Sequence, residues 1–150
     1  MSILDTFSLD GKTALITGGA GIVGKQIVRA LVEAGAHTYV ASRNLASLEE
    51  LAQEFATEGL IIHPRQLDQA DEASIHALRD TIVSEQGTLE ILVNNAVLRP
   101  MKDGYQDTAE SFDASMKVNA TGLFLLTRAM GDVMAEHGDG SIINVGSMMG

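Results

Sequence analysis

Cysteine is absent from this 150-residue chain, so disulfide scaffolds, thiolate metal sites and cysteine nucleophiles are excluded. That absence is compatible with a reducing compartment, and the cytoplasm is the expected location. Basic residues are scarce: ten Lys and Arg stand against twenty Asp and Glu, a formal net charge of −10. Such a surface is poorly made for neutralising phosphate backbones or anionic lipid, so neither nucleic acid nor a membrane surface is an expected partner. The N-terminal residues carry no basic segment, and no later run reaches the ~20 apolar residues that span a bilayer. Neither a secretion signal nor a membrane span is therefore expected. Low-complexity tracts and linkers are lacking too, so a single domain is expected over these 150 residues. What the chain does have is 45% hydrophobic residues against 20% charged ones. At this length it can bury roughly two-thirds of its unfolded surface in a single core.

Short β-branched runs alternate with longer helical patterns. Strands are expected at Lys12–Thr17, His37–Ser42, Leu60–Leu67, Leu89–Asn94 and Ser141–Val145. Between them the spacing predicts a helix reaching Ala34 and closed by Gly35, a helix over Leu45–Thr57 with Gly59 after it, and a helix over Asp71–Gln86 stopped by Gly87. A polar loop with Pro100 and Gly104 then leads into one long helical pattern over Glu110–His137. Apolar strands joined by helical crossovers imply a doubly wound α/β fold, a parallel sheet covered on both faces. Right-handed crossovers give the strand order 3-2-1-4-5.

Thr17-Gly18-Gly19-Ala20-Gly21-Ile22-Val23-Gly24 sits between the first strand and the first helix, with four glycines in its last seven residues. A turn this tight needs backbone angles that glycine takes cheaply, and a missing side chain lets a pyrophosphate approach the main chain. The helix that follows offers unpaired N–H groups and about half a positive charge. Gly19, Gly21 and Gly24 also spell G-x-G-x-x-G in the strand-to-helix context that gives this motif its weight. A strand-to-helix turn without a ligand is the plainer alternative.

Four motifs, in order across nearly the whole chain, resemble the short-chain dehydrogenase/reductase family. The glycine turn is similar to the family's T-G-x-x-x-G-x-G, except that Ile22 stands where the second glycine usually sits. Gly18, Gly21 and Gly24 fit T-G-x-x-G-x-x-G, the spacing of the family's extended and atypical branches. Asp68 resembles the aspartate that holds the adenine amino group, although a turn or helix-capping residue would look the same. Asn94-Asn95-Ala96 resembles N-N-A-G, with Val97 in place of the glycine. Val118-Asn119 and Asn144-Val145-Gly146-Ser147 resemble the segments that supply a catalytic asparagine and serine. The resemblance thus implies cofactor binding by Gly18, Gly21, Ile22, Val23, Gly24, Asp68, Asn95 and Ala96, and catalysis by Ser147 and Asn119. Ser147 would hydrogen-bond the substrate oxygen, and Asn119 would hold, through a helix distortion, a water linked to a lysine. A loop hydroxyl and a polar break in a helix are the ordinary alternatives for these two residues.

Cofactor choice is read at the end of strand two. Dinucleotide folds place a carboxylate there for the ribose 2′-OH of NAD, or a nearby arginine for the 2′-phosphate of NADP. Ser42 occupies the acidic position and Arg43 follows, so NADP is expected, with NAD possible and a solvated Arg43 as the alternative. The family's acid/base tyrosine and its lysine, Y-x-x-x-K on a helix beyond the serine, are not among these 150 residues. Tyr39 has Arg43 four residues on, but along a strand that is about 13 Å, and Tyr105 has Ala109 at the same offset. Both tyrosines read as packing or loop residues. His37, His63, His76 and His137 lack metal-ligand spacing, so no metal is expected. Glu49-Glu50 and Asp71-Glu72 read as solvated helix faces, and Met130, Met134, Met148 and Met149 as packing. Two functions follow. One is the cofactor-binding part of an NADP-dependent oxidoreductase acting on a small alcohol or carbonyl; the other is a non-catalytic NAD(P)-binding module. An apolar last strand and the Leu123-Phe124-Leu125-Leu126 helix lead us to expect a homo-oligomer.

Overall fold

A computed structural model describes residues 2–147. Five parallel strands, β1 (Thr13–Thr17), β2 (His37–Ser42), β3 (Ile62–Gln66), β4 (Ile91–Asn94) and β5 (Ser141–Asn144), form one sheet in the order β3-β2-β1-β4-β5. The helices are α1 (Ile22–Glu33), α2 (Leu45–Thr57), α3 (Glu72–Gln86), α4 (Ala109–Met116) and α5 (Leu123–His137). The fold is the doubly wound one that the alternation implied. Each side of the sheet has its own core. Ala14, Ile16, Val40 and Val93 meet Val28 of α1 and Leu48, Leu51 and Phe55 of α2. Leu15, Tyr39, Ala41 and Leu92 meet Ile75, Leu78 and Ile82 of α3 and Leu126 and Met130 of α5. Every residue of β1 is buried, as expected for a central strand covered on both faces.

The strands are shorter than the apolar runs suggested. Leu60 and Leu89 pack as lead-in residues, and β3 carries Pro64, which an edge strand tolerates because its missing N–H faces outward. Asp71 lies outside α3 as its N-cap, its carboxylate accepting the Ala73 N–H at 3.0 Å. Glu72 is not merely solvated, since it pairs with Arg128 of α5 at 3.0 Å. A 3-10 turn at Ile3–Phe7, closed by a Ser2/Asp5 capping box, had no counterpart in the sequence reading.

Two larger features bear on the site. The helical stretch over Glu110–His137 is distorted where the resemblance implied it: between α4 and α5 the backbone widens into a π turn at Lys117–Gly122. All of β5 is exposed, so the sheet is uncovered at this edge. Met130 and Met134 are core residues, whereas the reading of Met148 and Met149 lies outside the described residues.

Candidate active site

The carboxyl ends of the strands open into a cleft of about 1240 Å³. Parallel α/β sheets present ligand sites there, where β1 and β4 diverge around the crossover point. Gly18, Gly21, Ile22, Val23, Gly24, Ser42, Arg43, Asp68, Asn95, Ala96, Asn119 and Ser147 all line it. The sequence reading placed every one of these residues at a site, and the fold brings them to one place.

Gly18 turns the chain out of β1 with φ +69°, a left-handed conformation that side chains resist. A Cβ on it would lie 2.9 Å from the Ala96 Cα, so the β4 loop closes directly on the turn. Gly24 packs against the Gly18 carbonyl, with no room for a methyl group between them. Gly21 is the N-cap of α1 and supplies no side-chain cap, and the first turn of α1 carries no acid. The N–H groups of Ile22, Val23 and Gly24 therefore lack intrahelical acceptors and sit at the positive end of the helix, a site suited to an anion.

Asn95 serves the turn itself: its amide nitrogen donates to the Thr17 and Gly18 carbonyls at 3.1 and 3.0 Å. Thr17, 1% exposed, completes the junction, its Oγ1 accepting the Asn95 and Ala96 N–H groups at 3.1 and 3.0 Å. At the end of β2 the Ser42 hydroxyl donates to the Asn44 carbonyl at 3.1 Å, and Asn44 caps α2. Arg43, next to Ser42 along the chain, is exposed on the cleft rim. Asp68 lines the cleft, and its Oδ1 accepts the Ala70 N–H at 2.9 Å, as a turn residue does.

The other end of the cleft is built around the π turn. Asn119 lies within it and pairs with the backbone of Leu98 in both directions: Nδ2 donates to the Leu98 carbonyl at 2.7 Å, and Oδ1 accepts the Leu98 N–H at 2.8 Å. Nδ2 also donates to Ser115 Oγ, one turn back at 3.1 Å. Asn94 ties β5 to this end by donating to Asn144 Oδ1 at 2.8 Å and to Thr127 Oγ1 at 3.1 Å. Ser147, three residues past β5, faces the same cleft.

Neither tyrosine reaches the site. Tyr39 is fully buried in the core and donates to Glu85 at 2.5 Å; burial, together with that bond, pushes its phenol up to about 12. Tyr105 is fully exposed in a 3-10 turn at Gly104–Gln106. Among the described residues no three His, Asp, Glu or Cys side chains are placed to hold a metal ion.

A model of the short chain dehydrogenase family matches residues 12–150. This chain belongs to that family. A D-threitol dehydrogenase of Mycolicibacterium smegmatis is 33% identical over 147 residues, which are 98% of this chain and 56% of that protein. A short-chain type dehydrogenase/reductase from Mycobacterium marinum superposes with a TM-score of 0.91 at 35% identity, covering 99% of this chain and 60% of that one. A gluconate 5-dehydrogenase from Burkholderia cenocepacia, solved in complex with NADP and tartrate, gives 0.87 at 35% identity, covering 97% and 57%. The chain spans a little over half the length of these relatives. Within this short-chain dehydrogenase cleft, sequence reading overlooked Gln69, Leu98 and Ser115. Ser115 stood one helical turn before Asn119, a readable signal; the others belong to no motif.

Proposed function

We propose that the chain is the cofactor-binding part of an NADP-dependent oxidoreductase that moves a hydride between nicotinamide and a small alcohol or carbonyl compound. The observation carrying this reading is that the uncapped start of α1, the Ser42-Arg43 end of β2, and Asn119 with Ser147 share one cleft. The residues fit a dinucleotide. Gly18 and Gly24 let the β4 loop and the start of α1 close tightly on the turn, the α1 N–H groups would meet a pyrophosphate there, and the volume suits a ligand of that length. Arg43 would pair the 2′-phosphate, and Asp68 would accept from the adenine amino group. Bound NADPH would supply the hydride. A substrate carbonyl oxygen gaining negative charge in such a reduction would accept a hydrogen bond from the Ser147 hydroxyl, which lines the cleft. Asn119 would act through Leu98, fixing the loop that walls this end. A module that only held the dinucleotide would have no use for Asn119 and Ser147 in the cleft, which favours the enzyme.

Titration calorimetry tests the cofactor choice. NADP(H) should bind more tightly than NAD(H), and Arg43→Ala should remove about 1 to 3 kcal/mol of that difference, as for a charge-assisted pair. A preference for NAD(H) would remove the role given to Arg43. The 150 residues hold no Y-x-x-x-K motif, and among the described residues neither tyrosine reaches the cleft to handle the substrate proton. NADPH oxidation over a panel of ketones and sugars should therefore stay at background, and robust turnover would reveal a different acid/base.

A further inference from the structure

Gln69 is the most anomalous residue of the cleft wall. It is 6% exposed, and its Oε1 is buried with no hydrogen-bond partner among the described residues. A carboxamide buried with its carbonyl unpaired is unfavourable, and an apolar side chain of equal volume would avoid the cost. The one thing such a side chain could not do is what Nε2 does here: it donates to the Val118 carbonyl at 3.2 Å, inside the π turn and next to Asn119. The approach is close along the whole edge. Gly122, at the end of the π turn, lies against the Gln69 carbonyl, where a Cβ would collide. Gln69 also directly follows Asp68, at the opposite end of the cleft from Asn119 and Leu98 in the reading above.

We infer that Gln69 is a positioning residue that holds the π turn in the shape from which Asn119 pairs with Leu98, and so links the Asp68 end of the cleft to the Ala96–Met101 loop. The chain of contacts is continuous: Gln69 Nε2 to Val118 O, Val118 to its neighbour Asn119, and Asn119 to both backbone groups of Leu98. Ala96, Leu98 and Met101 of that loop line the cleft. The cofactor arm of the test rests on the NADP reading; the structural arm does not.

The probe for the structural arm is the Leu98 amide, whose N–H is held by Asn119 Oδ1. NMR-detected hydrogen exchange on the 150-residue chain should show this amide exchanging about tenfold faster in Gln69→Met, as expected when one hydrogen bond that supports it is removed. Gly122→Ala, which pushes the π turn off Gln69 by a different route, should give the same signature. Amides of Leu15 and Val40 in the central strands should stay as slow as in the parent chain, showing that both variants are folded. In the cofactor arm, Gln69→Met should weaken NADP⁺ severalfold while leaving adenosine 2′,5′-bisphosphate, which lacks the nicotinamide half, within about twofold. Unchanged Leu98 exchange in the folded variants would overturn the proposal, as would an equal loss of affinity for NADP⁺ and the bisphosphate. Absence of NADP⁺ binding in the parent chain would count against the cofactor reading alone, because Leu98 exchange still decides the role of Gln69.

Discussion

Thr17 shows how much of this site rests on single polar atoms. One buried hydroxyl oxygen accepts two backbone N–H groups from the loop after β4, so removing it leaves both donors without their acceptor. Thr17→Val keeps the shape and should cost about 1 to 3 kcal/mol in urea-induced unfolding; a loss indistinguishable from zero would mean that the donors find other partners. Gly24→Ala tests space instead of bonding. Its methyl group would meet the Gly18 carbonyl, the Asn95 amide and the Gly19 Cα, two of them backbone, and should destabilise the chain by about 1 to 3 kcal/mol while abolishing dinucleotide binding. Gly18 and Gly24 were legible in the sequence because a left-handed turn and a close backbone approach each select for glycine. Gln69 was not, since a lone glutamine in a loop carries no periodicity and its role arises only from what packs opposite it.

At the scale of elements, strand alternation was enough to order the sheet, because right-handed crossovers leave few arrangements open. The π turn was hidden from the residue pattern: apolar spacing runs on through Val118 and Leu123, and the distortion depends on contacts with the Gln69 and Leu98 segments. Only the family resemblance pointed to a distortion at Asn119. Away from the site, β2 and β3 stack His37 on His63 with ring centroids 3.9 Å apart, beside Tyr39, Arg65 and Glu85. Burial is the main cause holding both imidazoles below their ordinary 6.5, outweighing the opposing pull of Glu85. An unfolded chain thus binds more protons than the folded one just below pH 6.5, and stability falls as pH drops through that value. Urea midpoints at about pH 7.5 and about pH 5.5 should differ in the parent chain and differ less in His63→Gln. An equal drop in both would place the acid sensitivity elsewhere.

For the whole molecule, two of the exposed apolar surfaces bear on association. Ile142 and Ile143 of β5 and Val145 just past it are 40%, 51% and 42% exposed, at a sheet edge left open among the described residues. On the helical side Phe112, Met116 and Phe124 are exposed, while Leu126 of the same apolar run is fully buried. An open strand edge with apolar faces favours association, so light scattering at high micromolar concentration should report oligomers or larger species. A compact, stable monomer would contradict that expectation. The central claim is that the cleft above the glycine turn holds a nicotinamide dinucleotide, and an NADP⁺ titration of the ¹⁵N-labelled chain tests it most directly. The account predicts saturable shifts of the Gly18, Ile22, Val23, Gly24 and Ala96 amides, with Glu90 and His137 at the opposite end of the strands silent. Saturation without movement of the α1 amides, or no saturable shift at all, would contradict it.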